Sequence, residues 1–428
     1  MESKTEKIEL LRILKDEMKP AFGVTEPIAV ALASSKAYQA VGGELERIRI
    51  TTDPALFKTG LSCVVPGTSK TGFATAALLG VLVGDPTLEL EVLKHIDEKS
   101  TAKAKSLLEK GIVDVAIKEG EANIYVEAAV KTSRGVGRVV IKSTHTNIVL
   151  VEVNGKVIYK KEEKKEEKHF TINSLKVSDL TRFVEEIPFE EIKFVLDAVK
   201  MNKELAQEGL NERFGIGVGA TMSTLIRENK IADEPTTSAQ ILVASACDAR
   251  LGGAKKPAMS IAGSGCHGVT ATLPVAVVAE RMNIKEEKLA KAVALSLLIT
   301  IYIKAYSGRL SAFCGCAVTA GTGASAGIVY LLGGSDKQIG YAIKNMAADV
   351  TGLLCDGGNF GCALKTSTGA GAAIRAAFLA LKGITIPNDS GIVGKSAEET
   401  IKNMGKISSP GMVGTDKVIL DIMAKRIK

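Results

Sequence analysis

Four of the seven cysteines stand in two close pairs on glycine-rich stretches of the chain. Cys314 and Cys316 lie in RLSAFCGCAV, and Cys355 and Cys362 lie in LLCDGGNFGCALKTSTG. Thiolates bind zinc and iron–sulfur clusters, and glycine lets the backbone wrap closely around such a group. The spacing is not that of a zinc ribbon. Cluster ligands, buried thiols in a tight helical core and a structural zinc site built from all four thiols therefore stay open as alternatives.

The cysteine count also bears on the cellular compartment. Seven is an odd number, and the opening residues MESKTE lack the apolar stretch of a signal peptide, so we expect a cytoplasmic protein with reduced thiols. The longest apolar run, AVALSLLITIYI at 292–303, is short of the roughly 20 residues that span a bilayer. It predicts a buried helix and no membrane partner.

The charge pattern argues against nucleic acid as a partner. The formal net charge is +7, but the lysines are scattered among glutamates, tryptophan is absent and aromatic residues make up only 4% of the chain. Nucleic-acid binding needs clustered cations and usually stacking aromatics. We therefore expect a small-molecule ligand.

The first part of the chain must supply a scaffold of helices and strands. EKIELLRILKDEM and IAVALASSKAYQAVG have helical spacing, and Pro27 suits the first turn of the second helix. After residue 46 the pattern becomes strand-like, in RIRITTD, TLELEVL, VDVAIKEG, NIYVEAAVKT, RVVIKSTHTNIVLVEV and KVIYKK. The pattern predicts an α+β domain at 1–170 with a mostly antiparallel sheet.

A boundary is expected in YKKEEKKEEKH at 159–169, because alternating lysines and glutamates are typical of a solvated linker or an exposed hairpin tip. From 171 to 428 the pattern is that of an all-helical domain rich in alanine and glycine. Five glycine-rich breaks interrupt its helices, including DARLGGAKKP, IAGSGCHGVTATLP and the two cysteine stretches. The breaks predict loops that converge on one site.

Six stretches carry a resemblance to a known family. They are GVTEPIAVALA, VPGTSKTG, STHTNIV, DARLGGAKKPAMSIAGSGCHGVTATLPVAV, SGRLSAFCGC and CDGGNFGCALKTST. In this order the chain resembles the iron–sulfur-dependent L-serine dehydratases over nearly its whole length, and most closely their single-chain L-cysteine desulfidase branch. The resemblance implies a dehydratase β-like region followed by a helical α-like region. It also implies a [4Fe-4S] cluster with one open iron, held by Cys314, Cys355 and Cys362, with Cys316 as an alternative to Cys314.

The resemblance implies a lyase that eliminates sulfide from L-cysteine or water from L-serine, giving pyruvate and ammonia. Both leaving groups are poor, so the open iron serves as a Lewis acid and pyridoxal phosphate is not required. The α-proton needs a base. Desulfidases have GCTEP near the N-terminus, whereas this chain has GVTEP, and Val24 cannot accept a proton. Either another base acts, or the substrate differs, or the protein is a weak or non-catalytic relative that binds amino acids or has a redox role.

Four side chains are candidates for the missing base: His267, Cys266, Lys304 and Glu26. A histidine titrates near neutral pH, which favours His267. Its alternative roles are to cap a helix or to bind the substrate carboxylate. The alternative for Glu26 is a charge placed at a helix N-terminus.

Substrate-binding candidates are spread along the chain. The loop PGTSKTG offers backbone amides that could hold an anion, or it is an ordinary turn; it is not a phosphate-binding Walker loop. Arginine favours bidentate binding of a carboxylate, unless it pairs with a nearby aspartate. Glycine-rich helical surfaces also favour subunit contacts such as those of a homodimer. The substrate-binding candidates are Thr25, Thr68, Ser69, Lys70, His145, Arg250, Ser264 and Arg309.

Overall fold

Strands are concentrated in the first part of the chain and helices in the second, which confirms an α+β fold. The structure is a computed structural model that describes residues 2–121, 124–161 and 171–425. The expected linker at 159–169 lies, apart from its first three residues, outside this description. The division into domains 1–170 and 171–428 therefore stays a prediction.

The first part begins with two helices, as expected, and Pro27 lies in the first turn of the second. Its elements are α1 (Glu2–Glu17), β1 (Lys19–Ala21), α2 (Thr25–Val41), β2 (Leu45–Thr52), α3 (Pro54–Gly60), α4 (Phe73–Val83), α5 (Glu98–Glu109), β3 (Val113–Ile117), β4 (Tyr125–Thr132), β5 (Gly135–Lys142), β6 (Ile148–Val153) and β7 (Lys156–Lys160).

Six of these strands form one sheet in the order β3-β2-β4-β5-β6-β7. Only the β2–β3 pair is parallel, so the expected mostly antiparallel sheet is confirmed. Side chains alternate across the sheet, with Ile48 and Ile50 buried and Arg47 and Arg49 exposed. The buried face packs on α2 and α4.

One expected strand is wrong. TLELEVL falls in a 3-10 helix at Pro86–Glu91. The Asp85 side chain accepts a hydrogen bond from the Thr87 amide, and Pro86 occupies the first helical turn. These local helix-starting signals override the alternation of leucine and glutamate that suggested a strand.

The second part is helical apart from one short strand. Its elements are α6 (Val177–Glu186), α7 (Phe189–Ile192), α8 (Leu196–Asn211), α9 (Val218–Arg227), α10 (Pro235–Leu251), β8 (Ala258–Ser260), α11 (Gly265–Arg281), α12 (Glu286–Ser307), α13 (Gly315–Leu331), α14 (Asp336–Val350), α15 (Cys362–Leu381), α16 (Ala397–Lys406) and α17 (Val413–Ala424).

Strand β8 corrects the expectation that this region is all-helical. It pairs antiparallel with β1, with Pro20 opposite Met259. The backbone of 258–260 is extended before the glycine-rich turn that starts α11. Its buried N–H and C=O groups need hydrogen-bonding partners, and β1 provides them. It brings the start of α2 next to the start of α11, and these two helix starts reappear in the site below.

The run at 292–303 lies within α12, at the centre of the largest hydrophobic cluster, which confirms the expected buried helix. Within the described residues, α12 is the one helix long and apolar enough to cross a membrane, and 78% of its most apolar window is buried inside the protein. Leu10 and Leu14 of α1 pack into the same cluster. The N-terminal helix thus contributes to the core formed by the C-terminal helices.

Candidate active site

The two cysteine stretches are paired with each other. Phe313 and Leu354 form an antiparallel bridge. The Cys314 amide donates to the Leu353 carbonyl at 2.6 Å, and the Cys355 amide donates to the Ala312 carbonyl at 2.8 Å. Reciprocal hydrogen bonds of this kind fix the relative position of two chain segments. They hold Cys314 and Cys355 side by side although the two residues are far apart in sequence.

The third thiol reaches the same place through a tight turn. Gly357 has φ +93°, and a Cβ on it would lie 2.3 Å from the Lys58 carbonyl oxygen, so only glycine fits. The Asn359 side chain accepts from the Gly361 amide at 2.8 Å and closes the turn that leads into α15. Cys362 is the first residue of that helix.

The four thiols line one narrow cavity that opens to solvent. The sequence-predicted site residues that line it are Glu26, Arg250, Ser264, Cys266, His267, Lys304, Arg309, Cys314, Cys316, Cys355 and Cys362. Val24 lines it as well. The expectation that glycine-rich breaks converge agrees with this geometry, while the catalytic and binding roles of these residues stay predictions.

Four helices start at this cavity. Val24, Ser264 and Cys314 are the N-cap residues of α2, α11 and α13, and Cys362 opens α15. Each helix N-terminus presents unpaired amide groups and a partial positive charge. The cavity therefore favours anions, whether thiolates, a carboxylate or a negatively charged cofactor.

The donor set fits an iron–sulfur cluster better than a single zinc ion. Within 2–121, 124–161 and 171–425, no three His, Cys, Asp or Glu side chains converge closely enough to bind one metal ion. A cluster holds each thiolate on a different iron, so its ligands can come from separate turns around one cavity, as Cys314, Cys355 and Cys362 do here. A hydrogen bond from Cys316 contributes most to lowering the pKa of Cys314 to about 7, despite burial. A thiol of this acidity is readily available as a thiolate ligand.

His267 is poorly suited to be the base. Its Nδ1 lies 3.1 Å from the Ile261 carbonyl oxygen. Burial, with a contribution from the nearby Lys304 ammonium, lowers the pKa of His267 to about 3. The ring is therefore neutral at physiological pH, and its low basicity makes it a weak proton acceptor.

Lys304 is better matched to that task. It lies in the last turn of α12, 5% exposed, and its Nζ donates to the Ser311 hydroxyl at 3.2 Å. Burial lowers the pKa of Lys304 to about 8, although neighbouring thiols act in the opposite direction. Part of the population is thus neutral near pH 7, and the neutral amine is a stronger base than the His267 ring.

Cys266 is held as a stabilised thiolate. Its sulfur lies 3.4 Å from the Cys247 sulfur and accepts from Arg250 Nη1 at 3.3 Å. Hydrogen bonds from Cys247 and Cys316 and the charge of Arg250 together set the pKa of Cys266 well below its usual range. A thiolate that receives several donors is a weak base, which argues against Cys266 as the proton acceptor.

Arg250 presents one free edge. It is 3% exposed and lines the cavity, and its Nε and Nη2 have no hydrogen-bond partner among the described residues. These two groups form the side-on edge of the guanidinium, which suits a carboxylate. A Cβ on Gly265 would lie 2.4 Å from Nε, so this glycine makes room for the arginine.

Glu26 and His145 form a buried pair beside this edge, with 3.6 Å between Glu26 Oε1 and His145 Nε2. Burial acts to raise the pKa of Glu26, but His145 and the Arg250 charge together outweigh it, and the net shift is downward. Glu26 is therefore a carboxylate at neutral pH. Thr25 bonds to the Gly263 carbonyl at 2.9 Å, so it ties α2 to the turn before α11 and is not free for a substrate.

Five predicted substrate-binding residues lie outside the cavity lining: Thr25 and His145, and the three neighbours Thr68, Ser69 and Lys70 of one loop. Ser69 and Lys70 are exposed, and the Thr68 hydroxyl bonds to the carbonyls of Val65 and Lys70. The polar groups of this loop satisfy each other, as in an ordinary turn. The structure thus places Thr68, Ser69 and Lys70 outside this cavity, and their anion-binding role stays a prediction.

Two predicted residues are only partly available. Arg309 lines the cavity, but both of its terminal nitrogens contact the Glu17 carboxylate. His145 is absent from the cavity lining and pairs with Glu26, which is part of it. Arg250 is thus the arginine with a free bidentate edge.

Sequence reasoning missed three residues that lie behind the cavity lining. Cys247 contacts Cys266, and Cys63 donates to the Gly358 carbonyl at 3.2 Å. Lys58 donates to the Cys355 carbonyl at 2.9 Å. No local motif marked Cys63 or Lys58. Cys247 directly precedes DARLGG, so its proximity in sequence to Arg250 was the one available signal.

Comparison with known proteins gives the family. The family model described as serine dehydratase alpha chain matches residues 87–421. A UPF0597 protein of Clostridium botulinum (strain Hall) is 47% identical over 428 residues, 98% of this chain and 99% of the relative. UPF0597 proteins of Clostridium tetani and Clostridioides difficile are 43% and 40% identical, over 97% and 96% of this chain and 98% of each relative.

The names of these relatives state no activity. The family match indicates a dehydratase-like lyase function and a role in amino-acid catabolism, in a family that is generally iron–sulfur dependent. The chain belongs to the serine dehydratase alpha chain family.

Proposed function

We propose that this protein is a lyase that removes the β-substituent of a small L-amino acid, L-cysteine or L-serine, and yields pyruvate and ammonia. Its cofactor is a [4Fe-4S] cluster held by Cys314, Cys355 and Cys362. The single observation that carries the proposal is the cavity itself, which is lined by three thiols from separate turns and by a buried arginine whose Nε and Nη2 have no hydrogen-bond partner among the described residues.

The polar groups around the cavity match the parts of an amino acid. The Nε and Nη2 edge of Arg250 binds the α-carboxylate. Glu26, ionised and lining the cavity, binds the α-ammonium. When bound, the cluster supplies a Lewis acid for the hydroxide or hydrosulfide that leaves the β-carbon.

Lys304 takes the α-proton in this proposal. Its neutral form accepts the proton at Nζ, and the Ser311 hydroxyl orients that nitrogen through their hydrogen bond. The assignment replaces the cysteine that desulfidases carry where this chain has Val24. The neutral ring of His267, whose Nε2 would lie 2.5 Å from a Cβ on Gly315, forms a wall beside Lys304.

The cofactor is tested by comparing two buried thiols. Protein purified without oxygen should contain about four irons per chain and form pyruvate from L-cysteine or L-serine. Cys355→Ser should lose iron and activity. Cys63→Ser is the matched control, because serine keeps the hydrogen bond to the Gly358 carbonyl and Cys63 is outside the cavity lining. A colourless wild-type protein, or a Cys355→Ser variant with full iron, would contradict the proposal.

The rival candidate is a non-catalytic relative that binds an amino acid. Val24 favours it, because this side chain lines the cavity where the related enzymes carry a thiol. Val24→Cys discriminates between the two. If elimination appears only in that variant, the natural protein is not a competent desulfidase and the assignment of Lys304 fails with it.

A further inference from the structure

Two cysteines beside the cavity lie outside the proposed ligand set. Cys247 is near the end of α10, and Cys266 is the second residue of α11. Their sulfurs are 3.4 Å apart, and both thiols are free. A disulfide bond is about 2.05 Å long, so only a small movement separates this contact from a bond.

The two sulfurs have unequal surroundings. Cys266 accepts a hydrogen bond from Arg250 Nη1 at 3.3 Å, which stabilises negative charge on its sulfur. Cys247 accepts from the Thr366 hydroxyl at 3.3 Å and donates to the Cys266 sulfur, so its proton is retained. Thiol–disulfide exchange needs one sulfur that attacks as a thiolate and a second that resolves the mixed disulfide. This pair has that asymmetry.

Access is unequal too. Cys266 lines the cavity, whereas Cys247 is fully buried and is absent from the lining. A small molecule that enters the cavity therefore meets Cys266 first. Cys247 is out of reach of that molecule and can react only with the Cys266 sulfur, after Cys266 has formed a mixed disulfide.

We propose that Cys247 and Cys266 form a redox-active dithiol that exchanges with small disulfides. The Cys266 thiolate attacks one sulfur of a disulfide RSSR, forms a mixed disulfide and releases RS⁻. The Cys247 thiol then gives its proton to a released thiolate, and its sulfur attacks Cys266 and displaces the second RS⁻. The protein pair is oxidised by two electrons, and RSSR is reduced to one thiol, which carries the Cys247 proton, and one thiolate, which takes a proton from water.

The sequence makes this bond easy to detect. Tryptic cleavage after Lys230 and Arg250 gives a peptide, 231–250, in which Cys247 is the only cysteine. Cleavage after Lys255 and Arg281 gives 256–281, in which Cys266 is the only cysteine. The other five cysteines lie in other peptides, so a cross-link between these two identifies the pair.

The test treats the cluster-loaded protein with bis(2-hydroxyethyl) disulfide in the absence of oxygen, blocks free thiols with N-ethylmaleimide during denaturation, and maps the peptides. We expect the 231–250 and 256–281 peptides to be joined and to separate on reduction. Cys247→Ser should instead accumulate the mixed disulfide on Cys266. Cys266→Ser should leave Cys247 open to N-ethylmaleimide, and Cys63→Ser should behave as wild type.

Full alkylation of both cysteines after treatment would overturn the proposal, as would a cross-link of Cys266 to a proposed cluster ligand. Iron is measured on the same samples. A cross-linked protein that never contained iron would refute the proposed cofactor and leave the dithiol standing. The two proposals can therefore fail separately.

Discussion

The ion pair between Lys58 and Asp416 offers the sharpest test of how the site is held. The Lys58 side chain is 2% exposed, and its Nζ lies 2.6 Å from the Asp416 carboxylate and 2.9 Å from the Cys355 carbonyl oxygen. The Asp416 side chain, on α17, is 25% exposed. Because the burial is unequal, removing either partner should have unequal effects.

Asp416→Ala leaves a buried ammonium without its counter-charge, which typically costs about 3–5 kcal/mol. Lys58→Met keeps the aliphatic packing and leaves a carboxylate that can turn to water. The Lys58→Met substitution leaves the Cys355 carbonyl without its hydrogen bond. We expect this to lower the free energy of unfolding by about 1–2 kcal/mol. We therefore expect Asp416→Ala to be the less stable of the two.

The assay is urea unfolding followed by circular dichroism on protein kept free of oxygen. Asp349→Ala is the control, because the pair of Asp349 with Arg375 is largely exposed and its loss should change stability by less than about 1 kcal/mol. Lys58→Met should also bind iron less tightly, since it frees the Cys355 turn. Equal midpoints for the two variants, or a lower midpoint for Lys58→Met, would refute the reasoning.

Four further predictions address the substrate and the base. Lys304→Met should abolish elimination, whereas wild-type kcat/KM should rise about tenfold per pH unit below the Lys304 pKa of about 8 and level off above it. Because the pKa of this buried lysine is lowered in the folded state, stability should increase between pH 8 and 10.5, and Lys304→Met should lose that pH dependence in unfolding experiments. Arg250→Lys should raise KM for the amino acid at least tenfold, because an ammonium lacks the bidentate edge; an unchanged KM would contradict the carboxylate role. Glu17→Gln should lower KM, because it releases Arg309 toward the cavity, whereas Asp16→Asn on the same helix end should leave KM unchanged.

The local parts of the fold were predictable because their signals are local. The buried helix at 292–303 and most strands follow from hydrophobic periodicity. TLELEVL failed because Asp85 and Pro86 start a helical turn within the same few residues. The position of the turn PGTSKTG outside the cavity lining was not predictable, because spacing does not encode whether a side chain bonds to its own backbone or to a ligand.

The cysteines that line the cavity were predictable from the sequence, but the residues that hold their turns in place were not. The glycine-rich turns and the family resemblance identified the cysteines that line the cavity. Lys58 could not be found this way, since it lies 297 positions from Cys355 and only the folded chain brings them together. The same holds for Cys63, whose partner Gly358 is 295 positions away. Long-range pairs of single residues leave no periodic trace in one sequence.

The place of Val24 explains why a different base is needed. Position 24 is the N-cap of α2, where a thiol would sit at a helix N-terminus that favours its ionised form. Valine provides no such group, and it makes no side-chain cap. Cys266 takes a comparable position at the start of α11, but Arg250 and two neighbouring thiols already stabilise its charge. The Cys266 sulfur thus lies at a helix start in this cavity, but its stabilised thiolate is too weak a base to accept the α-proton. Lys304 approaches from a helix C-terminus, and burial lowers its pKa to about 8. Among the described cavity-lining groups outside the proposed cluster ligands, it is the one whose lowered pKa lies near the pH at which a base must act.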